Sequence, residues 1–411
     1  MNRRCSILGA LLLVILALTA PPAAAAPGPA DAPEYWFDSW DVPGLWAAGA
    51  RGQGVTIAEI DTGVSAGLAE LQGRILAGTD LGAGGDGQVD REVSTFGHGT
   101  AMASIMVARP GLLDITGLAP GAKILPIAVP LRGTTDAQLP DRLPDAIRYA
   151  ADHGAKIISM SLGALRDPKT DDTPCPDVEQ QAVFHALRRG AVVVASVGNT
   201  GPRENSVEEP AACLGVVSVG AVDPQGVVAS FSAREPFLTL TAPGVDVPSL
   251  GRIAGDAFSG DGTSQAAALV SGALALAWSA HPDLTNDQLV ARLIATLDAR
   301  RSTPSSAYGY GTLDAGALVR ADVPLSTQNP VWSAANLFSD RTNRLSQVVP
   351  ARPAPAASEP LLTRGYAVAG HPRITARVRQ AASVAALGLV AFLAVLALGL
   401  DRRRRRLSPL P

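Results

Sequence analysis

Short apolar runs alternate with helix-forming segments through the middle of the chain. Runs rich in Val, Ile and Ala predict buried strands at residues 55–60, 122–129, 156–162, 191–197, 216–222 and 227–231. Helical segments separate or follow them at residues 101–109, 143–153, 178–189, 263–280 and 286–297. Because strands and helices alternate, we predict an α/β domain with a mainly parallel central sheet covered by helices on both faces.

The N-terminal segments differ from this pattern. Residues 1–26 begin with Arg3 and Arg4, continue with an apolar core and end in small residues, which predicts a cleaved signal peptide. Residues 27–50 include an aromatic-rich stretch, which we interpret as an arm packed on a domain spanning residues 51–321.

The segment that follows this domain differs from it in composition. Residues 322–380 are rich in Pro, Ala, Ser and Thr, which predicts an extended linker.

The C-terminal segment has the pattern of a membrane anchor. Residues 381–400 carry no charge and are long enough to span a bilayer as one helix. Five arginines follow in residues 401–411, and the positive-inside rule places that tail in the cytoplasm. A buried core helix is the alternative. We therefore expect a single-pass protein of the cell membrane whose main domain is extracytoplasmic.

Charge and cysteine content narrow the function further. The net charge is −3, and several of the basic residues lie at the two chain ends, so the middle of the chain is acidic. This argues against nucleic-acid binding as the main function. Cys5 lies in the predicted signal peptide, which leaves Cys175 and Cys213 in an oxidising compartment. A disulfide between them is expected, and two free thiols or a metal pair are the alternatives.

Three polar residues have surroundings suited to catalysis. Asp61 ends the first predicted strand, where open α/β sheets place their ligands. His98 lies between two glycines before a helix, and Ser264 begins a buried helix whose free N–H groups favour negative charge. Taken singly, each has an ordinary interpretation as a capping, turn or surface residue. Together, in the order Asp, His, Ser, they match a catalytic triad.

Other hydrolase classes fit poorly. An α/β-hydrolase needs the order Ser, acid, His and a Gly-x-Ser-x-Gly elbow, whereas Ser264 is followed by Gln265. An aspartic protease needs a second carboxylate that shares a proton, and the Asp-Thr-Gly tripeptide occurs once. The Gly- and Asp-rich stretch at Asp86–Asp90 is expected to be a solvated loop, with a calcium site as the alternative. We predict no cofactor and no metal.

The tripeptides Asp61–Gly63, His98–Thr100 and Gly262–Ser264 resemble the three active-site motifs of the subtilisin-like serine proteases. The resemblance covers about residues 44–320 and implies a three-layer fold with Asp61, His98 and Ser264 as the catalytic residues. Two shorter matches extend it. Ser161, Leu162 and Gly163 resemble the strand that pairs with the substrate backbone, and Asn199, after Gly198, resembles the oxyanion-binding asparagine.

The order of segments resembles that of the mycosins, which are membrane-anchored subtilisin-like proteases associated with type VII secretion. This resemblance implies a serine endopeptidase that acts on a protein or peptide substrate and is associated with the type VII secretion machinery. The disulfide-bearing loops of mycosins also suit Cys175 and Cys213. One departure is Ala268, where the family commonly has proline. A scaffolding component of a secretion complex, with dispensable protease activity, is the alternative function.

Overall fold

The computed structural model describes residues 34–111, 113, 115–131, 134, 141–165, 174–201, 205–299 and 303–333, and the backbone of 367–368. The helices are α1 Trp36–Ser39, α2 Val42–Ala47, α3 His98–Val107, α4 Leu143–Asp152, α5 Asp177–Arg188, α6 Thr263–Ala280, α7 Asn286–Ala295 and α8 Ala315–Arg320. The strands are β1 Thr56–Asp61, β2 Thr79–Asp80, β3 Lys123–Ala128, β4 Ile157–Met160, β5 Leu162–Leu165, β6 Val192–Ser196, β7 Glu208–Glu209, β8 Val217–Val222, β9 Leu240–Pro243, β10 Val247–Leu250, β11 Ala257–Gly260 and β12 Ala367–Val368.

The central sheet has seven strands in the order β2-β3-β1-β4-β6-β8-β9. Every neighbouring pair in it is parallel, which confirms the predicted parallel sheet. The chain moves to one side of β1 to form β3 and to the other side to form β4, so the strand order reverses between β1 and β4. Ligands of open α/β sheets bind at such a point, beyond the carboxyl ends of the strands.

Helices cover both faces of this sheet because the strand side chains alternate between two apolar clusters. In β1, Ile57 packs in a cluster with α3 and α6, whereas Ala58 and Ile60 pack in a second cluster with α4 and α5. The valines of β6 divide in the same way. The result is the predicted arrangement of three layers, helix, sheet and helix.

Helix α6 is the centre of one layer. Its first sixteen residues, Thr263–Trp278, are all buried, and small side chains let it lie close to β4, β6, β8 and α3. Inside the layer, the Ser271 hydroxyl donates to the Ser159 hydroxyl of β4 at 2.9 Å. Its N-terminus lies next to the loop after β9, since the Gly262 N–H donates to the Gly244 carbonyl at 2.8 Å. The buried packing of these sixteen residues and the bond to Gly244 fix where this helix begins.

The N-terminal aromatic segment packs near the far end of α6. The indole Nε1 of Trp46 donates to the Leu118 carbonyl at 3.0 Å, and the Gly52 N–H donates to the Ser279 hydroxyl at 2.9 Å. Arg320 of α8 forms an ion pair with Asp41. Ser279 belongs to the last turn of an 18-residue helix that begins near Ser264, so this contact lies about 20 Å or more from its start.

Two predicted strands differ from the observed ones. Residues 227–231 do not form a strand: Val228 makes only an isolated bridge to Val222, after a turn in which the Asp223 carboxylate accepts from the Val227 N–H. The predicted strand 156–162 is divided, because β4 ends at Met160 and β5 begins at Leu162. The apolar content of residues 227–231 cannot distinguish a strand from a segment that makes a single bridge after a turn. The apolar content of residues 156–162 does not show where the chain leaves one sheet and enters another.

The predicted signal peptide, most of the linker, residues 381–400 and the basic tail lie outside the described residues. Within the described part of the chain, no helix combines the length and apolar character needed to cross a bilayer. The loop Asp86–Asp90 differs from the expected solvated loop at its last residue, because Asp90 is buried. Its carboxylate accepts hydrogen bonds from Thr62, which directly follows β1, and from Thr100 of α3.

Candidate active site

Asp61 and His98 form a buried pair at the carboxyl end of β1. Asp61 is the last residue of β1, and its side chain points to the α3 and α6 face, the face to which Ile57 also belongs. The Nδ1 atom of His98 lies 2.9 Å from Oδ1 and 3.0 Å from Oδ2 of Asp61. Both side chains are almost completely buried. The carboxylate therefore requires a proton on Nδ1, which leaves Nε2 to accept one.

The glycines around His98 allow α3 to start in this position. Gly97 precedes the helix with φ 65°, and an added Cβ there would lie 2.4 Å from Cβ of Arg252. An added Cβ at Gly99 would lie 2.2 Å from the carbonyl oxygen of Gly63. Only residues without a side chain permit both the left-handed turn and the close approach of α3 to the end of β1.

Asp90 joins the motifs that contain Asp61 and His98. Its Oδ1 accepts from the Thr62 hydroxyl at 2.8 Å, and its Oδ2 accepts from the Thr100 N–H at 2.9 Å and hydroxyl at 2.6 Å. The Thr62 hydroxyl oxygen in turn accepts from the Gly99 N–H at 2.9 Å. This buried network fixes the start of α3 against the end of β1, and with it the relative position of the carboxylate and the imidazole.

Several acidic groups act on His98. Burial alone would lower the pKa of His98, but the charge and hydrogen bond of Asp61 and the charges of Glu92 and Asp90 oppose burial and raise it above its ordinary value. Glu92 also accepts from the His98 N–H at 2.5 Å through Oε2. The site therefore favours the imidazolium form that a general base becomes after it accepts a proton.

Ser264 lies in the first turn of α6 and is completely buried. Its hydroxyl donates to the carbonyl oxygen of Ser161 at 3.0 Å, and the Ser161 hydroxyl donates to the carbonyl oxygen of Ser264 at 2.9 Å. Within the described part of the chain, Nε2 of His98 is buried and has no hydrogen-bond partner. The structure thus joins Asp61 to His98 and Ser264 to Ser161, without a hydrogen bond between the hydroxyl and the imidazole.

Asn199 follows β6 and faces the start of α6. Its Oδ1 accepts from both the N–H and the hydroxyl of Thr263, each at 2.9 Å. Because two donors occupy the oxygen, the amide orientation is fixed. Its Nδ2 is buried and has no partner among the described residues. An unpartnered buried donor next to the first turn of α6 is well suited to binding an oxyanion.

Ser161 connects β4 to β5, and Leu162 and Gly163 begin β5 at the edge of this site. Leu162 and Gly163 pair in antiparallel register with the backbone of Val368 and Ala367. On the other side, β5 pairs with β7. The edge formed by Leu162 and Gly163 therefore accepts an extended chain as an added strand.

A profile of the subtilase family matches residues 52–311, which is more than half of the chain. The chain belongs to the subtilase family. This subtilase is 32% identical over 276 residues to the major intracellular serine protease of Bacillus subtilis strain 168, covering 64% of this chain and 80% of that protein. It is 32% identical over 283 residues to subtilisin Savinase of Lederbergia lenta, covering 68% and 95%. The subtilase is a subtilisin-like serine endopeptidase.

Solved mycosin structures share its fold. MycP1 from Mycobacterium smegmatis aligns with a TM-score of 0.62 at 26% identity, covering 74% of this chain and 89% of that one. The MycP3 protease from the type VII (ESX-3) secretion system aligns with a TM-score of 0.60 at 29% identity, covering 72% and 90%. The predicted resemblance to subtilisin-like proteases of the mycosin type is confirmed.

Cys175 and Cys213 lie close together beside α5 of this subtilase. Their sulfur atoms are 1.92 Å apart and their Cα atoms 4.9 Å apart. The carboxylate of Glu179 is near both sulfurs, so these three side chains also have the spacing of a metal site. A bonded sulfur pair offers no thiolate to a metal, so the sulfur positions favour the predicted disulfide over a metal pair.

Three functional candidates of the subtilase were missed by sequence reasoning: Asp90, Glu92 and Glu208. Asp90 and Glu92 lie in a loop region whose Gly- and Asp-rich composition resembles solvated turns. Thr62 of Asp-Thr-Gly and Thr100 of His-Gly-Thr gave an available signal for Asp90. Two hydroxyls buried at the same site need hydrogen-bond acceptors, and a nearby carboxylate can accept from both. Glu208 carries no local signal, since its surroundings come from β5 and from the residues after β6.

Proposed function

We propose that this subtilase is a membrane-anchored, extracytoplasmic endopeptidase that cleaves peptide bonds through Asp61, His98 and Ser264. The observation that carries the proposal is the buried pairing of His98 Nδ1 with both oxygens of Asp61. That pairing leaves Nε2 as the proton acceptor and holds the imidazole in one orientation. Membership of the subtilase family supports the same assignment.

In the first half of the reaction, Ser264 Oγ attacks the carbonyl carbon of the scissile peptide. Its proton passes to Nε2 of His98, and Asp61 stabilises the resulting imidazolium without taking a proton itself. The carbonyl oxygen becomes an oxyanion, which accepts from Nδ2 of Asn199 and from the backbone N–H of Ser264. Thr263 keeps the Asn199 amide in the orientation this step requires.

In the second half, Nε2 returns the proton to the leaving amine as the C–N bond breaks, and the acyl group remains on Ser264. A water molecule then attacks the acyl-enzyme, with His98 again as the base. The oxyanion donors act a second time, and the carboxylic acid product leaves with Ser264 protonated. No metal or cofactor takes part in either half of this scheme.

The substrate is a protein or peptide that binds in extended form. We assign the backbone of the residues before the scissile bond to the edge of Leu162 and Gly163, as an antiparallel strand. The pairing of Ala367 and Val368 on this same edge supports the assignment. Main-chain pairing of this kind is independent of side chains, so selectivity must come from pockets next to the strand.

Location and biological role are inferred from the sequence and from relatives. Residues 381–400 and the arginines after them support one membrane span with the protease outside the cytoplasm. A structural relative is described as a protease from the type VII (ESX-3) secretion system. We propose that this subtilase likewise associates with type VII secretion machinery.

Peptide hydrolysis by the purified full-length chain tests the proposal. We expect it to cleave an unfolded protein such as reduced casein, and the Ser264→Ala chain to leave casein intact while it keeps the same melting temperature. Equal cleavage by both chains would show that another nucleophile or a contaminant is responsible. Full restoration of secretion by Ser264→Ala in a deletion strain would favour the scaffolding alternative for the biological role.

A further inference from the structure

Glu208 places a carboxylate between two glycines near the candidate active site. It lies in β7, and only 5% of its surface is exposed. An added Cβ at Gly163 would lie 2.4 Å from Oε2 of Glu208, and an added Cβ at Gly198 would lie 2.1 Å from Oε1. The carboxylate therefore occupies the gap between β5 and the residues that follow β6, and glycine is needed on both sides of it.

The strand register explains this position. In the antiparallel pair of β5 and β7, Glu208 lies opposite Leu165. Because side chains alternate along a strand, Gly163 and Leu165 share the face on which Glu208 lies. Gly163 has no side chain to fill the space above it, so the Glu208 side chain extends across it toward Gly198.

The gap adjoins the groups that the proposed function assigns to the scissile bond. Gly198 directly precedes Asn199, whose Nδ2 is the proposed oxyanion donor, and Gly163 belongs to the proposed substrate edge. A substrate carbonyl between Ser264 Oγ and Asn199 Nδ2 belongs to the residue on the N-terminal side of the scissile bond, the P1 residue. Its side chain then points toward the segments that carry Gly163 and Gly198 and toward the Glu208 carboxylate between them.

The Glu208 carboxylate has no partner in the part of the chain that the structure describes. No described side chain or N–H group donates to either oxygen, and no described cation pairs with it. Burial raises the pKa of Glu208 to about 7. A buried carboxylate without a partner is unfavourable, so a ligand that supplies a positive charge and N–H donors gains a large advantage over one that does not.

We propose that Glu208 is the specificity-determining residue of the P1 pocket and selects substrates with lysine or arginine at P1. This inference rests on the proposed function, since it uses the proposed positions of the scissile carbonyl and the substrate strand. A lysine or arginine side chain brings its cation to the carboxylate and forms charge-assisted hydrogen bonds. An acidic P1 residue is repelled, and an apolar one leaves the buried carboxylate unpartnered.

The first test measures binding without turnover. In the full-length Ser264→Ala chain at pH 8, fluorescence anisotropy compares two labelled peptides that differ only in lysine or norleucine at P1. These side chains have similar length, but only lysine carries a charge. We expect the lysine peptide to bind at least tenfold more tightly, and Glu208→Gln to remove most of this preference. Equal affinities, or a preference unchanged in Glu208→Gln, would overturn the proposal.

A matched control and an activity measurement separate this inference from the proposed function. Glu235→Gln removes another buried carboxylate, one that accepts from Asn205, and it should leave the lysine preference intact. In the active chain, kcat/KM for the lysine peptide should exceed that for the norleucine peptide by about the same factor. Efficient cleavage of both peptides at equal rates contradicts the role of Glu208 but supports the protease. Selective binding of the lysine peptide without any cleavage supports Glu208 and contradicts the proposed function.

Discussion

The hydroxyl of Ser264 donates to the carbonyl of Ser161 at 3.0 Å, while the hydroxyl of Ser161 donates to the carbonyl of Ser264 at 2.9 Å. This reciprocal pair fixes the start of α6 against the start of the proposed substrate edge. In the proposed reaction, the Ser264 hydroxyl turns from the Ser161 carbonyl to Nε2 of His98, which exchanges one buried hydrogen bond for another. The net cost of such an exchange is small, about 1 kcal/mol or less.

Asn199→Ala should lower kcat by about 10²–10³ and leave KM nearly unchanged, because the amide is used only after the oxyanion forms. Steady-state kinetics with one peptide substrate measures both constants. Asn286→Ala is a matched control, since that amide is also bonded inside the fold, to the carbonyls of Leu187 and Ala191. It should reduce stability but not kcat. A large increase in KM at constant kcat for Asn199→Ala would contradict the oxyanion role.

The acid limb of the pH profile should lie above the ordinary histidine value of about 6.5. The pKa of His98 is raised because Asp61, Glu92 and Asp90 outweigh burial, and the proposed general base must be neutral to accept a proton. Activity should therefore rise with pH through this raised pKa. Glu92→Gln should move the acid limb of kcat/KM to lower pH.

Asp152→Asn provides the control for that measurement. It also removes one negative charge, but Asp152 pairs with His185 instead of facing His98. The acid limb of kcat/KM in the Asp152→Asn variant should match that of the unmodified chain. An acid limb that stays in place in Glu92→Gln, or one that moves equally in both variants, would show that Glu92 does not act on His98 directly.

Glu59→Met should stabilise the protein more at pH 8 than at pH 5. Glu59 is buried in β1, neither of its oxygens has a partner among the described residues, and burial followed by the charges of Asp61 and Asp90 raises its pKa well above the ordinary value. The folded state therefore keeps Glu59 protonated, whereas the unfolded chain loses this proton above about pH 4.5. Stability from this group is fully present at low pH. It is lost by about 1.4 kcal/mol per pH unit as pH rises from the unfolded-state pKa to the raised folded-state pKa.

Urea unfolding of both chains at the two pH values measures this difference. Methionine is similar in length to glutamate and carries no titratable group, so its stability should lack this pH dependence. If the Glu59→Met chain and the unmodified chain differ in unfolding free energy by the same amount at pH 5 and at pH 8, Glu59 has an ordinary pKa in the folded state.

Loss of the Cys175–Cys213 link should lower the melting temperature. A bridge between these residues spans 38 positions, and closing a loop of that size stabilises by about 4 kcal/mol on the chain-entropy model. Treatment with reductant, or the double change to serine, should therefore lower Tm by roughly 10 °C. Cys5→Ser, in the predicted signal peptide, should have no effect on the mature protein. Identical melting curves with and without reductant would count against the bridge.

The sequence predicts the layers and the three catalytic candidates because their signals are local. Strands that are buried on both faces read as continuous apolar runs, and glycine or small residues next to Asp61, His98 and Ser264 mark places where backbone segments approach closely. The same local reading gave a wrong strand at residues 227–231. There, a turn centred on Asp223 decides the structure, and apolar content does not report it.

The positions of Asp90 and Glu208 could not be predicted from the residues next to them in the sequence. Asp90 acquires its importance from Thr62 and Thr100, which reach it from two different elements. Glu208 acquires its importance from Gly163 and Gly198, 45 and 10 positions earlier in the chain, which meet it only after β5 and β7 pair. Contacts between distant segments determine both positions, and a single sequence does not contain them explicitly.

Fluorophosphonate labelling of the full-length chain tests the central claim most directly, because the reagent reacts with a serine only when a base activates it and an oxyanion site receives its oxygen. We predict that the unmodified chain is labelled on Ser264, as shown by mass spectrometry of the modified peptide. Ser264→Ala should not be labelled, and His98→Ala should be labelled far more slowly. A folded chain that resists labelling, or one labelled on another residue, would contradict the assignment of Asp61, His98 and Ser264.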